Sequence, residues 1–316
     1  MSIPAFAHLE ARSFREVARL ARRGDVMIAG GTDLVPLMRD GLVTPRAVVD
    51  LKTIRGAGKI RAGKTGAALG PLALLADIAE HPGVRRWFPA LAQACLAVGT
   101  TQIRNMATLG GNLCQRNRCW YFRQNVPCHK TGGRGCPAVD GLNEYLSILG
   151  GGPCHAPHPS DPAVALAALD ARVHVRFASG RAARLSIADL YRDAAKRRDA
   201  ETVLGPGDVI ERISLPAKYA GARQRFLKTA QREMWDFALV SVGVVRPRGR
   251  TPIPRLVLGG VAPRPWEIEI REAGSGRQWA ARMAAASLAE AKALSQNAYK
   301  VELARNLIVA ALTGGG

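Results

Sequence analysis

The stretch GGNLCQRNRCWYFRQNVPCHKTGGRGCPAVDG, residues 110 to 141, holds four of the chain's six cysteines within 32 residues. That bunching constrains the chain more than any other feature. Disulfides that staple a small scaffold are dense and spread out, and six cysteines in 316 residues are too few for that purpose. Clustered thiols point to a metal site instead.

At 47% apolar, a chain of this length can bury more than one core, and two domains are expected. No apolar run approaches the roughly 18 to 20 residues that cross a bilayer, so no membrane span is expected. The stretch MSIPAFAHLEARSF at the N-terminus lacks the charged start and apolar run of a signal peptide. A net charge of +20 raises nucleic acid as a partner. The arginines, however, are scattered through every segment, and aromatic residues make up only 5%. No nucleic-acid role is expected, and the charge suits docking against acidic protein faces.

SFREVARLARRG reads as a helix with a capping box at Ser13 and Glu16 and a stop at Gly24. DVMIAGGTDLVPLMRDG then runs from a short strand through Gly30 and Gly31 into a helix capped by Thr32 or Asp33, with Pro36 in its first turn. Bare backbone N–H groups at such a turn can face a pyrophosphate. Asp50, about twenty residues on, is placed like the ribose-binding acid of a nicotinamide site. The G-x-G-x-x-G pattern is missing, though. A second turn, TTQIRNMATLGGNLC, brings Thr108, Gly110, Gly111 and Asn112 just ahead of the cysteines, and two such turns can clamp one diphosphate from both sides. Cys95 falls on the apolar side of a helix and reads as core.

Past the cysteines, LSILGGG reads as a buried strand, and Asp161 with Pro162 starts a helix that leads into a strand at Arg172 to Arg176. The main boundary is expected near residue 179. Beyond it DVIERISLP, RFLKTA, FALVSVGVV and RLVLGGVA read as strands, and MAAASLAEAKALS and NAYKVELARNLIVAAL as helices. Strands followed by helices suggest an α+β second domain.

Five cysteines compete as ligands: Cys114, Cys119, Cys128, Cys136 and Cys154. The spacing C-x8-C-x7-C-x17-C from Cys119 onward fits no ferredoxin run. Zinc on Cys128, Cys136 and Cys154 with His129, His155 or His158 is an alternative, although no C-x2-C knuckle is present.

AGGTDLVPLM, TLGGNLCQRNRC, HPSD and KTAQREMWDFALVSV, in this order, resemble the flavin-binding medium subunit of molybdenum hydroxylases of the xanthine dehydrogenase family. RCWYF, PCHK, GCPA and PCHAPHPSD are similar to the insert of the subset that carries an extra [4Fe-4S] cluster. That subset includes 4-hydroxybenzoyl-CoA reductase and, closer to this sequence, the periplasmic aldehyde oxidoreductases of bacteria.

The resemblance implies an α+β fold. An FAD-binding domain like that of p-cresol methylhydroxylase and vanillyl-alcohol oxidase would cover residues 1–179. Its subdomains would be about 1–55 and 56–179, with the iron–sulfur insert at about 114–158. Residues 180–316 would form a C-terminal domain like that of the carbon monoxide dehydrogenase flavoprotein. Ala29, Gly30, Gly31, Thr32, Asp33 and Leu34 on one turn, and Thr108, Gly110, Gly111 and Asn112 on the other, would wrap the FAD diphosphate. Asp161 would reach the nucleotide side of the cofactor, and Lys228 and Asp236 would lie near the isoalloxazine.

Cys119, Cys128, Cys136 and Cys154 would hold the cluster, leaving Cys114 spare. The implied partners are a large molybdopterin subunit, a small [2Fe-2S] subunit and an external electron acceptor, in the cytoplasm or in the periplasm by co-export with a partner. An independent flavin oxidase is the alternative outside the family, and a 4-hydroxybenzoyl-CoA reductase-like enzyme the alternative within it.

Overall fold

The computed structural model describes residues 3–250 and 252–314. Met1 and Ser2, the first residues of the N-terminal stretch read above, lie outside the described residues.

A three-stranded parallel sheet opens the chain, with β1 (Ala7–Glu10), β2 (Val26–Ile28) and β3 (Ala47–Asp50) in the order β1-β3-β2. Parallel neighbours need crossovers, and the helices Phe14–Leu20 and Leu34–Arg39 supply them. Ser13 caps the first by accepting from the Glu16 amide at 3.2 Å. That helix ends at Leu20, short of the expected stop at Gly24. The second helix has Asp33 at its N-cap position, but the Asp33 carboxylate does not cap it. Asp50 accepts from the Lys52 amide at 2.8 Å and pairs with His8 and Lys52, so its carboxylate serves the end of β3.

The second lobe is a five-stranded antiparallel sheet. It comprises β4 (Ile60–Gly63), β5 (Gly66–Leu69), β6 (Arg172–Arg176), β7 (Ala182–Ser186) and β8 (Val209–Pro216), in the order β4-β5-β8-β6-β7. Here the structure corrects the expected boundary at 179. β7 and β8 lie beyond it, yet β8 fills the gap between β5 and β6, with Ile213 opposite both Leu69 and Val173. Without β8 the lobe would split into two hairpins, so its sheet closes only at Pro216.

Helices Leu75–Glu80, Pro82–Trp87, Pro89–Leu96 and Asp161–Ala168 belong to the core of this lobe, together with fully buried Cys95. The helix Asp161–Ala168 is buried on every face. One of its sides lies flush on the C-terminal sheet, where a Cβ on Gly243 would come within 3.1 Å of the Val164 carbonyl.

That last sheet is antiparallel, with β9 (Arg223–Thr229), β10 (Val240–Arg246), β11 (Arg255–Gly259) and β12 (Trp266–Ile268) in the order β12-β11-β10-β9. Helices Gly276–Ser287 and Tyr299–Thr313 pack on it around a second core of Val240, Val242, Leu256, Leu258, Trp279 and Ile308. The α+β reading therefore holds, but the first helix begins at Gly276, seven residues before the MAAAS stretch.

The LSILGGG stretch is not a strand. Ile148 and Leu149 both donate to the Val261 carbonyl, which satisfies the buried backbone without a ladder. Lys300 secures the same region. Its buried ammonium donates to the carbonyls of Tyr145 (3.2 Å), Leu146 (3.0 Å) and Gly260 (2.5 Å), while burial pushes its pKa down to about 7. Among the described residues, no helix is long and apolar enough to cross a membrane.

Candidate functional site

The two glycine turns meet. A Cβ on Gly30 would stand 1.8 Å from the Met106 carbonyl oxygen, so this position is glycine because the second turn's approach leaves no room. Gly31 has a φ of +70°, a conformation side chains rarely adopt. On the other turn, Thr108 caps Leu109–Leu113 by accepting from the Gly111 amide at 3.2 Å. Ala29 to Leu34, Thr108, Gly111 and Cys114 line one cavity of about 250 Å3.

Gly110 and Asn112 turn elsewhere. Gly110 lies against Pro71, and the Asn112 amide oxygen accepts from the Ser160 hydroxyl at 2.6 Å. Ser160 in turn caps the helix that begins at Asp161, accepting from the Ala163 amide at 3.1 Å. The second turn is thereby tied to the HPSD loop.

A second cavity, of about 300 Å3, opens where the cysteine-rich segment, the HPSD loop and the C-terminal sheet converge. Asp161, Asp236, His158, Ser241 and Cys119 all line it. Asp161 pairs with Lys228 at 2.7 Å, and Lys228 also donates to the Ala97 carbonyl at 2.8 Å. Burial pushes the Asp161 carboxyl upward, and the Lys228 ammonium opposes that. Asp161 and Asp236 therefore share the larger cavity, and Lys228 is tied to it through Asp161. Asp236 sits at the rim, paired with Arg232 at 3.0 Å. Among the described residues, the buried Ser241 hydroxyl and both His158 ring nitrogens have no hydrogen-bond partner.

The His158 ring lies tilted against Tyr191, with centroids 4.2 Å apart, and burial holds its pKa down to about 4. As pH falls below the ordinary value of 6.5, the unfolded chain takes up this proton first. The stability is thus complete above about pH 6.5 and is lost as pH falls toward 4. For the flavin-free chain we expect a loss of up to about 3 kcal/mol across that window. Urea unfolding at both ends of the window should show it, and His158→Phe should remove it.

Cys119 lies within electrostatic reach of Cys128, Cys136 and Cys154. Burial raises the Cys119 thiol, the Phe122 and Tyr121 amides oppose this, and Cys136 and Cys128 raise it further. Cys154 is pushed up to about 12 by burial, with Cys119 among its neighbours. Cys119 and Cys128 also pack in one apolar cluster with Leu37 and Phe122. Cys114 stands apart on the smaller cavity, within electrostatic reach of Tyr191. Thiols raised in this way are protonated until a metal displaces the protons.

Among the described residues, no three His, Cys, Asp or Glu side chains converge as ligands of one ion, and His129 is spent on the Lys196 carbonyl at 2.7 Å. Both facts weigh against a zinc site. A cubane places each thiolate on a different iron, so its ligands need not converge on a single point.

Sequence reasoning missed what anchors this segment. Glu201, 4% exposed, pairs with buried Lys130 at 2.5 Å and with Arg116 at 3.1 Å, and accepts from the Asn117 amide at 3.1 Å. Lys130 also donates to the carbonyls of Ala194, Arg197 and Ala200. The partners lie 64 to 85 residues apart, and no local pattern announces them.

Residues 4–218 match the family described as the FAD binding domain in molybdopterin dehydrogenase. The chain belongs to this family. It is 36% identical over 315 residues to the aldehyde oxidoreductase FAD-binding subunit PaoB of Escherichia coli strain K12, covering 98% of this chain and 97% of that protein. A shorter match, 40% over 87 residues, reaches the nicotinate dehydrogenase FAD-subunit of Eubacterium barkeri and covers 28% of this chain and 29% of that one. Quinoline 2-oxidoreductase from Pseudomonas putida 86 shares the fold, with a TM-score of 0.75 at 20% identity over 99% of this chain and 97% of that one. The protein is thus an FAD-binding subunit of the molybdenum hydroxylase type, and the smaller cavity between its glycine turns is the candidate diphosphate site.

Proposed function

We propose that this chain carries FAD and a [4Fe-4S] cluster and passes electrons from molybdenum and [2Fe-2S] subunits to an external acceptor, in aldehyde oxidation. One observation carries the reading: Cys119 packs with Cys128 in one apolar cluster and also belongs to the wall of the larger cavity. This residue is common to both sites.

Ala29 to Leu34 would hold the FAD diphosphate on bare amides, with Thr108 and Gly111 lining the opposite wall of the cavity. Asp161, oriented by Lys228, with Ser241 and His158 would meet the polar edge of the isoalloxazine. The unpartnered Ser241 hydroxyl and His158 ring nitrogens fit such a ligand. Cys119, Cys128, Cys136 and Cys154 would ligate the cluster. When bound, FAD and the cluster supply electron storage and transfer. The Arg232–Asp236 pair at the rim leaves the acceptor's approach to the exposed side of the cavity.

The relative matched over nearly its whole length is named an aldehyde oxidoreductase subunit, which favours aldehydes over other substrates. Co-expression with the genes beside it should yield a complex with large and small partner subunits that oxidises aromatic aldehydes with a dye acceptor. The chain alone should show no turnover. Turnover by the isolated chain would overturn the subunit reading, and a complex that instead dehydroxylates an aromatic thioester would overturn the aldehyde assignment.

A further inference from the structure

Asp33 sits in the first glycine turn and lines the smaller cavity, where a carboxylate would repel a diphosphate. Its oxygens point to the cysteine-rich segment instead. Oδ2 accepts from the Arg116 amide at 2.8 Å, and Oδ1 accepts from the Arg123 guanidinium at 2.8 Å and pairs with Arg118 at 3.0 Å. Those three arginines flank Cys119, and Arg116 continues the chain of contacts to Glu201 and so to Lys130, two residues after Cys128. Arg116, Arg118, Arg123 and Lys130 against Asp33 and Glu201 leave a surplus of two positive charges. That surplus favours anions on both sides, a diphosphate on one and a thiolate-bound cluster on the other.

We propose that Asp33 is a positioning residue that clasps the phosphate turn to the cysteine-rich insert, so that FAD and the iron–sulfur cluster stabilise each other's sites. The inference rests on the reading above that the insert holds a cluster. Coupling of this kind is reciprocal: whatever FAD does for cluster retention, the cluster does for FAD affinity. The Asp33 carboxylate acts through the arginines and is not a ligand of the diphosphate.

The test uses the full-length chain stripped of flavin. In the wild type, adding FAD should slow loss of cluster iron to a chelator about tenfold, the scale of one charge-assisted hydrogen bond. It should also protect the bonds after Arg118 and Arg123 from trypsin. In Asp33→Asn, FAD should change both rates by less than about twofold; in Arg123→Gln, read by iron loss and by cleavage after Arg118, the FAD effect should fall part of the way, and the double variant should be no worse than Asp33→Asn, because the Arg123 contact runs through Asp33.

Full FAD protection in Asp33→Asn would overturn the proposal. So would weakened FAD binding with iron loss and trypsin cleavage still coupled to flavin, which marks a direct ligand. If the wild type holds FAD but no iron, the cluster reading fails and the trypsin comparison still decides the clasp. If Asp33→Asn does not fold, Arg123→Gln decides by iron loss and by cleavage after Arg118, and an FAD effect as large as in the wild type would overturn the proposal.

Discussion

Gly30→Val is expected to empty the flavin site and to cost the protein about 3 kcal/mol or more, the upper range for overpacking a site that cannot yield. The obstacle is backbone: the new Cβ would overlap the Met106 carbonyl, and the second turn would have to retreat. Retreat opens the cavity between the turns, so flavin loss and destabilisation should appear together. Gly63→Ala is the matched control, because nothing lies within 4 Å of its Cβ position, and it should change stability by less than about 0.5 kcal/mol. Thermal unfolding and flavin released on denaturation measure both effects. Gly30→Val with full flavin and an unchanged melting temperature would mean that the turns do not meet.

The second large effect concerns the thiols. Cys119, Cys128, Cys136 and Cys154, changed one at a time to serine, should each lose cluster iron, since a hydroxyl replaces thiolate poorly on iron. Cys114→Ser should retain it, because Cys114 faces the other cavity. Cys95→Ser should retain iron while losing about 1 to 3 kcal/mol, the cost of a hydroxyl at a fully buried position. Iron kept in Cys154→Ser, or lost in Cys114→Ser, would assign the wrong four ligands.

Local features were legible in the sequence. The glycine turns, the helix at Asp161 and the strands β9 to β11 each have signals within a few residues: paired glycines, a capping residue before proline, runs of β-branched side chains. Features that depend on distant partners were not. Val209–Pro216 reads as a strand, but nothing in it says that its neighbours are β5 and β6, so it was assigned to the wrong side of the boundary. LSILGGG has a strand's composition and is held instead by the Val261 carbonyl. Asp33 looked like an N-cap and a cofactor contact, since arginines more than eighty residues away cannot be seen from the turn. The buried Lys130 and Lys300 were hidden for the same reason: a charge is expected at the surface until its acceptors are known.

The most direct test of the account is a cofactor count on the anaerobically purified chain: flavin identified after denaturation, with iron, acid-labile sulfide and zinc measured on the same sample. The account predicts about one FAD with about four iron and four sulfide per chain and no zinc. FMN in place of FAD, or zinc in place of iron and sulfide, would contradict it.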